Sequence, residues 1–326
     1  MSQVTCEICP RGCVIPEGGA GDCRIRVNLG GELRATTYGR PSAIHIDPME
    51  KKPLYHFLPG TPVFSIATAG CNLHCLYCQN WQLSQRGGEE METLYRAEPA
   101  EVVAAAQAEG CRSIAYTYSD PVVFYEYCRD TSALARERGL RNVFVTAAYI
   151  NPKPMRALCR VLDAANADLK AMDEGFYREV NGASLKPVLD AMVVMREEGV
   201  WLELTNLVVP TLNDDLAMIR RMSRWILREL GAGTPLHFSR FQPMYRMRNL
   251  PPTPAATLEQ ARAVALDVGL HHVYIGNLMG HAGNHTYCPR DGTLLIARTG
   301  YRITENHLTA DGRCPTCNQA IAGVWQ

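Results

Sequence analysis

The sequence predicts an α/β fold: a full or partial (β/α) barrel of about six to seven parallel strands, with a small Cys-rich module at each end. Three observations point there. Between residues 63 and 276 short apolar runs alternate regularly with amphipathic helical stretches. No Gly-rich dinucleotide fingerprint follows the first apolar run, which removes the commonest open-sheet alternative. Ten of the thirteen cysteines gather in three places, at the head, in one early loop and in the tail. The chain thus divides into a head (1–30), a barrel (31–279) and a tail (280–326).

The head is rich in Gly and Cys and has no helical period. A link containing "DPMEKKPLYHF" leads to the first strand, "VFSIAT" (63–68), which precedes a cysteine loop. A helix over 99–110 ends at Gly110 and is followed by strand "SIAYTY" (113–118). The alternation continues with helix 122–138, strand "NVFVTA" (142–147), helix 152–165 and strand "ADLKA" (167–171). Helix 185–198 precedes "VWLELTNLVV" (200–209), helix 215–230 precedes "PLHFSRF" (235–241), and helix 255–267 precedes "HHVYIG" (271–276). The tail reads as a hairpin (293–304) between two cysteine knuckles. In a barrel, chemistry belongs at the C-terminal ends of strands.

Composition narrows the function classes. With 33 basic and 33 acidic residues the chain is neutral, so no global field recruits nucleic acid or acidic membrane. No apolar run approaches the ~20 residues of a membrane span. The start, "MSQVTCEICPRGC", lacks the basic and apolar regions of a signal peptide, so we expect a cytoplasmic protein. There, clustered cysteines mean metal instead of disulfides. Cys111, Cys128 and Cys159 stand alone among apolar neighbours and read as small buried hydrophobes.

The loop "ATAGCNLHCLYCQNW" (67–81) places Cys71, Cys75 and Cys78 within eight positions. Three thiolates hold three irons of a 4Fe-4S cluster and leave the fourth open. Such an open iron can accept the amino nitrogen and carboxylate oxygen of S-adenosylmethionine. One electron then cleaves the S–C5′ bond, and the 5′-deoxyadenosyl radical abstracts hydrogen from a substrate. The competing reading is a zinc knuckle that borrows a fourth ligand, for which His74 and Gln79 are at hand.

These residues, with Tyr77 before the last cysteine, resemble the signature of the radical SAM superfamily. The resemblance implies further cofactor contacts. Ser119 and Asp120 in "TYSDP" stand where many members carry a Gly-Gly-Glu strand end that holds the methionine ammonium. Asp168 and Lys170 in "ADLKAMD" resemble the Asp-Leu-Lys of pyruvate formate-lyase-activating enzymes, which contacts the methionine end; a structural ion pair is the alternative. Thr205 or Asn206 would reach the ribose, and His237 the nucleoside, unless these are ordinary core residues. Tyr245, Arg246 and Arg248 are candidates for the substrate pocket.

The longer segments "EKKPLYHFLPG", "PPTPAATLEQA", "VYIGN" and "AGVW" look like the radical SAM enzymes of the AmmeMemoRadiSam system, along essentially the whole chain. That resemblance implies a reductant such as flavodoxin or ferredoxin. It also makes Memo-like and AMMECR-like proteins candidate partners, and leaves the protein or small-molecule substrate open.

Two further metal sites are expected. Cys6, Cys9, Cys13 and Cys23 offer four soft ligands, suited to zinc or an auxiliary iron–sulfur centre, with structural zinc the nearer expectation. The tail resembles a zinc ribbon whose first knuckle is broken, with Asp291 where a second cysteine would stand. Either Asp291 completes a zinc set with Cys288, Cys314 and Cys317, or His285 or His307 does, or the metal has been lost. The reading is a radical SAM oxidoreductase, activating-enzyme-like, with unknown substrate. The alternative is an iron–sulfur or zinc redox sensor, or a zinc-ribbon binding protein, without turnover.

Overall fold

In the computed structural model, which describes residues 2–91 and 95–326, residues 3–35 form two antiparallel pairs, the second spanning the head–barrel division expected at residue 30. β1 (Gln3–Thr5) pairs with β2 (Val14–Pro16), and β3 (Arg26–Leu29) with β4 (Glu32–Ala35). The body is one eight-stranded sheet. It begins with β5 (Ala43–Pro48), antiparallel to β6 (Pro62–Ala67). From there every neighbour is parallel and in chain order: β7 (Ser113–Tyr116), β8 (Arg141–Thr146), β9 (Ala164–Asp168), β10 (Trp201–Val208), β11 (Leu236–Arg240) and β12 (Val273–Gly276). β5 and β12 stand at opposite ends of the order and do not pair, so the barrel is partial.

Helices Pro99–Ala108, Tyr125–Glu137, Pro152–Cys159, Leu185–Glu197, Leu216–Glu229 and Ala255–Val268 connect the parallel strands. The fifth shows how local sequence builds them. Asp215 caps it by accepting from the backbone N–H of Ala217 and Met218, and Met218, Ile219, Met222 and Ile226 form its buried stripe. Among the described residues no helix is long and apolar enough to cross a membrane.

Three expectations need correction. The link to the first strand contains β5, whose mixed burial gave no clear alternation. The helix expected over 152–165 stops at Cys159, because Ala164 already belongs to β9. The strand expected over 167–171 accordingly lies earlier: Asp168 is its last residue and Lys170 sits in the following loop.

The tail forms a three-stranded antiparallel sheet of β13 (Thr286–Tyr287), β14 (Leu294–Thr299) and β15 (Arg302–Asn306). It is stitched to the link. Val324 exchanges backbone hydrogen bonds with His56 and Leu58, and His56 Nδ1 lies 2.6 Å from the Ala322 carbonyl oxygen.

Candidate active site

The loop between β6 and the helical turn Trp81–Ser84 is pinned from several directions. The N–H groups of His74 and Leu76 donate to the carbonyls of Asn181 and Val180. Asn72 donates to the Tyr149 carbonyl and Asn80 to that of Tyr118. Gly70 has φ +89°, and a Cβ there would lie 2.6 Å from the Cys23 carbonyl oxygen, so only glycine lets the loop pass the head this closely.

Cys71, Cys75 and Cys78 all line one large cavity, with ≈ 2980 Å³ of free space that includes its open mouth. Each sulfur has a polar neighbour. The Leu73 N–H donates to Cys71 Sγ (3.4 Å) and Asn181 Nδ2 to Cys75 Sγ (3.2 Å), while the Ser84 hydroxyl lies 3.2 Å from Cys78 Sγ. Donors aimed at sulfur favour thiolate over thiol. Burial, and then the Asp120 carboxylate, push the Cys71 pKa well above its ordinary value, so without a cation this thiol keeps its proton.

The three-thiol set does not suit a single ion. Among the described residues, the one group of three or more donors lying within 4.8 Å of one another is in the tail. His74 is no spare ligand either, since its nitrogens face Gln85 and Asp22 at 2.9 and 2.7 Å. A wider, cavity-facing set of thiols has the chemistry that a multi-iron cluster requires.

Around the same cavity stand Tyr77, Ser119, Asp120, Asp168, Lys170, Thr205 and His237. Lys170 Nζ is 2.9 Å from Asp168 Oδ2 and lies over the Tyr77 ring, 5.8 Å from its centroid. Burial alone would lower the Lys170 pKa, but Asp168, Tyr77 and Cys75 drive it well above its usual value. The loop carrying it is tightly held: the Lys170 N–H donates to the Tyr177 hydroxyl, and its carbonyl accepts from Asn206 and Asn213.

Other side chains are partly committed. Ser119 Oγ donates to the Thr68 carbonyl (2.7 Å). The Asp120 carboxylate accepts from the Val122 and Ala147 N–H groups and the Thr146 hydroxyl. Of its roughly four lone-pair positions, about one stays free for an ammonium. Thr205 donates to Asn166 Oδ1 (2.8 Å), and His237 Nε2 lies 2.7 Å from Glu203 Oε2.

Asn206 differs from expectation. It does not line the cavity; it is fully buried and donates to the carbonyls of Leu169 and Lys170. It alternates with Thr205 along β10, so when Thr205 faces inward Asn206 cannot. Tyr245, Arg246 and Arg248 also lie off the cavity lining, with Tyr245 stacked on Trp81. The wall contains instead Lys52, Tyr118 and the β14–β15 hairpin tip, Thr299–Arg302. No local motif signals these, nor Asn181; their placement comes from loops meeting across the barrel mouth.

In the tail, Cys288, Asp291, Cys314 and Cys317 bring four donor atoms within 4.8 Å of one another. Cys288 Sγ is 3.5 Å from Cys317 Sγ, and Cys314 Sγ is 3.6 Å from Asp291 Oδ2. His285 and His307 are not in the group; they face the Arg298 N–H and Glu305. The set fits one tetrahedral ion with three soft donors and one hard donor.

A partial parallel barrel whose first loop presents C-x3-C-x2-C to its mouth defines a radical SAM protein, and the chain belongs to the radical SAM superfamily, whose pattern matches residues 65–222. Superfamily members bind a 4Fe-4S cluster and S-adenosylmethionine, and use a reductant and a substrate in radical chemistry. An uncharacterised protein of Methanocaldococcus jannaschii is 45% identical over 322 residues, covering 98% of this chain and 95% of that protein. The pyruvate formate-lyase-activating enzyme of Clostridium pasteurianum is 24% identical over 166 residues, 48% of this chain and 66% of the enzyme. Among solved structures, Streptococcus suis SuiB bound to S-adenosylmethionine matches in fold, with a TM-score of 0.50 at 13% identity, over 70% of this chain and 53% of SuiB.

Proposed function

We propose that this chain is an activating-enzyme-like radical SAM oxidoreductase acting on a macromolecular target. Cys71, Cys75 and Cys78 would hold the 4Fe-4S cluster through three irons. The bound cluster and S-adenosylmethionine together supply the chemistry: one electron from an external reductant splits the S–C5′ bond, leaving methionine and a 5′-deoxyadenosyl group that takes hydrogen from the target. Flavodoxin or ferredoxin is the class of reductant.

The chain's own residues bind and orient. Lys170, steadied by Asp168, takes the methionine carboxylate; Ser119 and the remaining acceptor position of Asp120 take the ammonium. Tyr77 packs over the cluster loop, and Thr205 and His237 flank the nucleoside. The observation that carries this reading is that three sulfurs, each with a polar neighbour, share one cavity with the Asp168–Lys170 pair. A macromolecular target is supported by the size of the mouth and by the tail hairpin in its wall. The head, barrel and tail divide at residues 30 and 279 in this reading. Memo-like and AMMECR-like partners rest on sequence resemblance alone.

The test is anaerobic reconstitution, chemical reduction, addition of S-adenosylmethionine and quantification of 5′-deoxyadenosine. Wild type should yield product and Cys75→Ala, correctly folded by circular dichroism, should not. Equal product from both would sink the assignment. A loaded wild-type cluster giving no product with either a chemical or a protein reductant would favour a sensor without turnover.

A further inference from the structure

A second set of thiols surrounds its own cavity. Cys6, Cys9, Cys13 and Cys23 line a small pocket on the head side of the cluster loop, together with Arg26 and Asn72; its ≈ 330 Å³ of free space includes its opening to solvent. All four are free thiols; Cys6 and Cys23 are buried, Cys9 and Cys13 half-buried. Four soft donors alone do not choose between zinc and iron–sulfur. The geometry does.

A tetrahedral zinc holds sulfur at ~2.3 Å, which puts the sulfurs about 3.8 Å from one another. The tail set has that compactness, with all donors within 4.8 Å; among the described residues no three of the head thiols do. Ligands of a cubane sit on the outer corners of a cube and must stand much farther apart, around a space that the cube fills. Like the Cys71–Cys78 loop, and unlike the tail, the head thiols are not gathered within single-ion span among the described residues.

The lining also supplies a donor without a partner. Both terminal nitrogens of Arg26 are tied to Glu126, at 2.8 and 2.6 Å, and the residue is only 5% exposed. Its Nε–H is buried and makes no hydrogen bond among the described residues. An unsatisfied N–H on a cation costs free energy unless an acceptor arrives. Thiolates and bridging sulfides of an anionic cluster are such acceptors, and hydrogen bonds of this kind tune cluster potentials. The Asp22 N–H, 3.5 Å from Cys13 Sγ, is a second donor.

We propose that the head binds a second 4Fe-4S cluster through Cys6, Cys9, Cys13 and Cys23, with Arg26 Nε–H directed at it. Four thiolates ligate all four irons, so this centre has no open position for S-adenosylmethionine. It is left with electron transfer and with holding the head together. Consecutive residues of one loop, Cys71 and Asn72, line the two cavities, so the centres lie back to back.

The experiment counts iron, acid-labile sulfide and zinc in anaerobically reconstituted full-length protein. Wild type should contain about eight irons and eight sulfides per chain, and Cys71→Ser/Cys75→Ser/Cys78→Ser about four of each. The triple variant should keep a reducible cluster signal by electron paramagnetic resonance while making no 5′-deoxyadenosine. Head zinc, or a single head iron without sulfide, in that variant overturns the proposal. If the variant does not fold, the wild-type count decides: about four irons with zinc in the head overturns it, about eight supports it. Because metal is counted apart from turnover, a wild type with two clusters and no product would fail the functional reading while upholding this one.

Discussion

Lys170 is held more firmly than a solvent-facing lysine needs. Its backbone N–H and C=O are both engaged, and its ammonium is paired with Asp168 at the cavity wall. Lys170→Ala should weaken S-adenosylmethionine binding about tenfold or more, the loss of about 1.4 kcal/mol or above, with iron content unchanged. Equilibrium dialysis and iron assay on one sample check this; loss of iron would instead make Lys170 part of cluster assembly. Asn181 is a different case. Its Nδ2 is shared between Cys75 Sγ and the Tyr77 hydroxyl. A donor on sulfur stabilises the more negative, reduced cluster, so Asn181→Ala should shift the potential of the Cys71–Cys78 centre to more negative values in a spectroscopic redox titration. No shift would mean that Asn181 only positions Tyr77. The cysteines were legible because their chemistry is written in close spacing. Asn181 and Asn206 were not, because an amide's role depends on which backbone groups tertiary packing brings to it.

β10 is where barrel, link and tail are fastened. Glu203 on this strand is fully buried and accepts four hydrogen bonds, from the N–H groups of Tyr55 and His56, from Trp201 Nε1 and from His237 Nε2. Glu203→Ala orphans all four donors at a position that is itself fully buried. We expect a loss of roughly 3–5 kcal/mol, read as a shift of the urea midpoint, and a loosened His237. A change below about 1 kcal/mol would mean that water replaces the carboxylate. Neighbouring β9 shows why strand assignment slipped. Its sequence, "AANAD", has no β-branched or aromatic residue, and alanine is the strongest helix former, so local preference extends the preceding helix through it. Tertiary packing overrides that preference: Ala164, Ala165 and Ala167 are fully buried between β8 and β10. The slip displaced Lys170 from a strand to a loop. It did not remove Lys170 from the mouth, because the observed strand ends at Asp168, only two residues before it.

Across the whole molecule, the donor spacing sorts three cysteine sets into two kinds among the described residues, and the compact one lies in the tail. That tail also supplies part of the mouth, through Thr299–Arg302, and is tied to the barrel by Val324 and His56. A single ion at Cys288, Asp291, Cys314 and Cys317 would therefore brace a wall of the cavity from a distance. Asp291 is the weak member: a carboxylate oxygen is a harder donor than thiolate, and its side chain is exposed. Hydrogen bonding from the Thr293 N–H and then from Cys288 holds its carboxyl well below the usual range, so it is ionised and ready as a ligand at neutral pH. Zinc content after dialysis against a chelator should then rank Asp291→Cys above wild type and wild type above Asp291→Ala, with about one zinc per chain in the undialysed wild type. Iron at the two wider sets should not change across the series. The ranking follows from donor chemistry, because Asp291→Cys restores the fourth thiolate of a complete ribbon. If wild type instead retained no zinc before dialysis, the hairpin would be standing on its own apolar packing around Leu295, Ile296 and Ile321, and the wall it gives the mouth would need no metal.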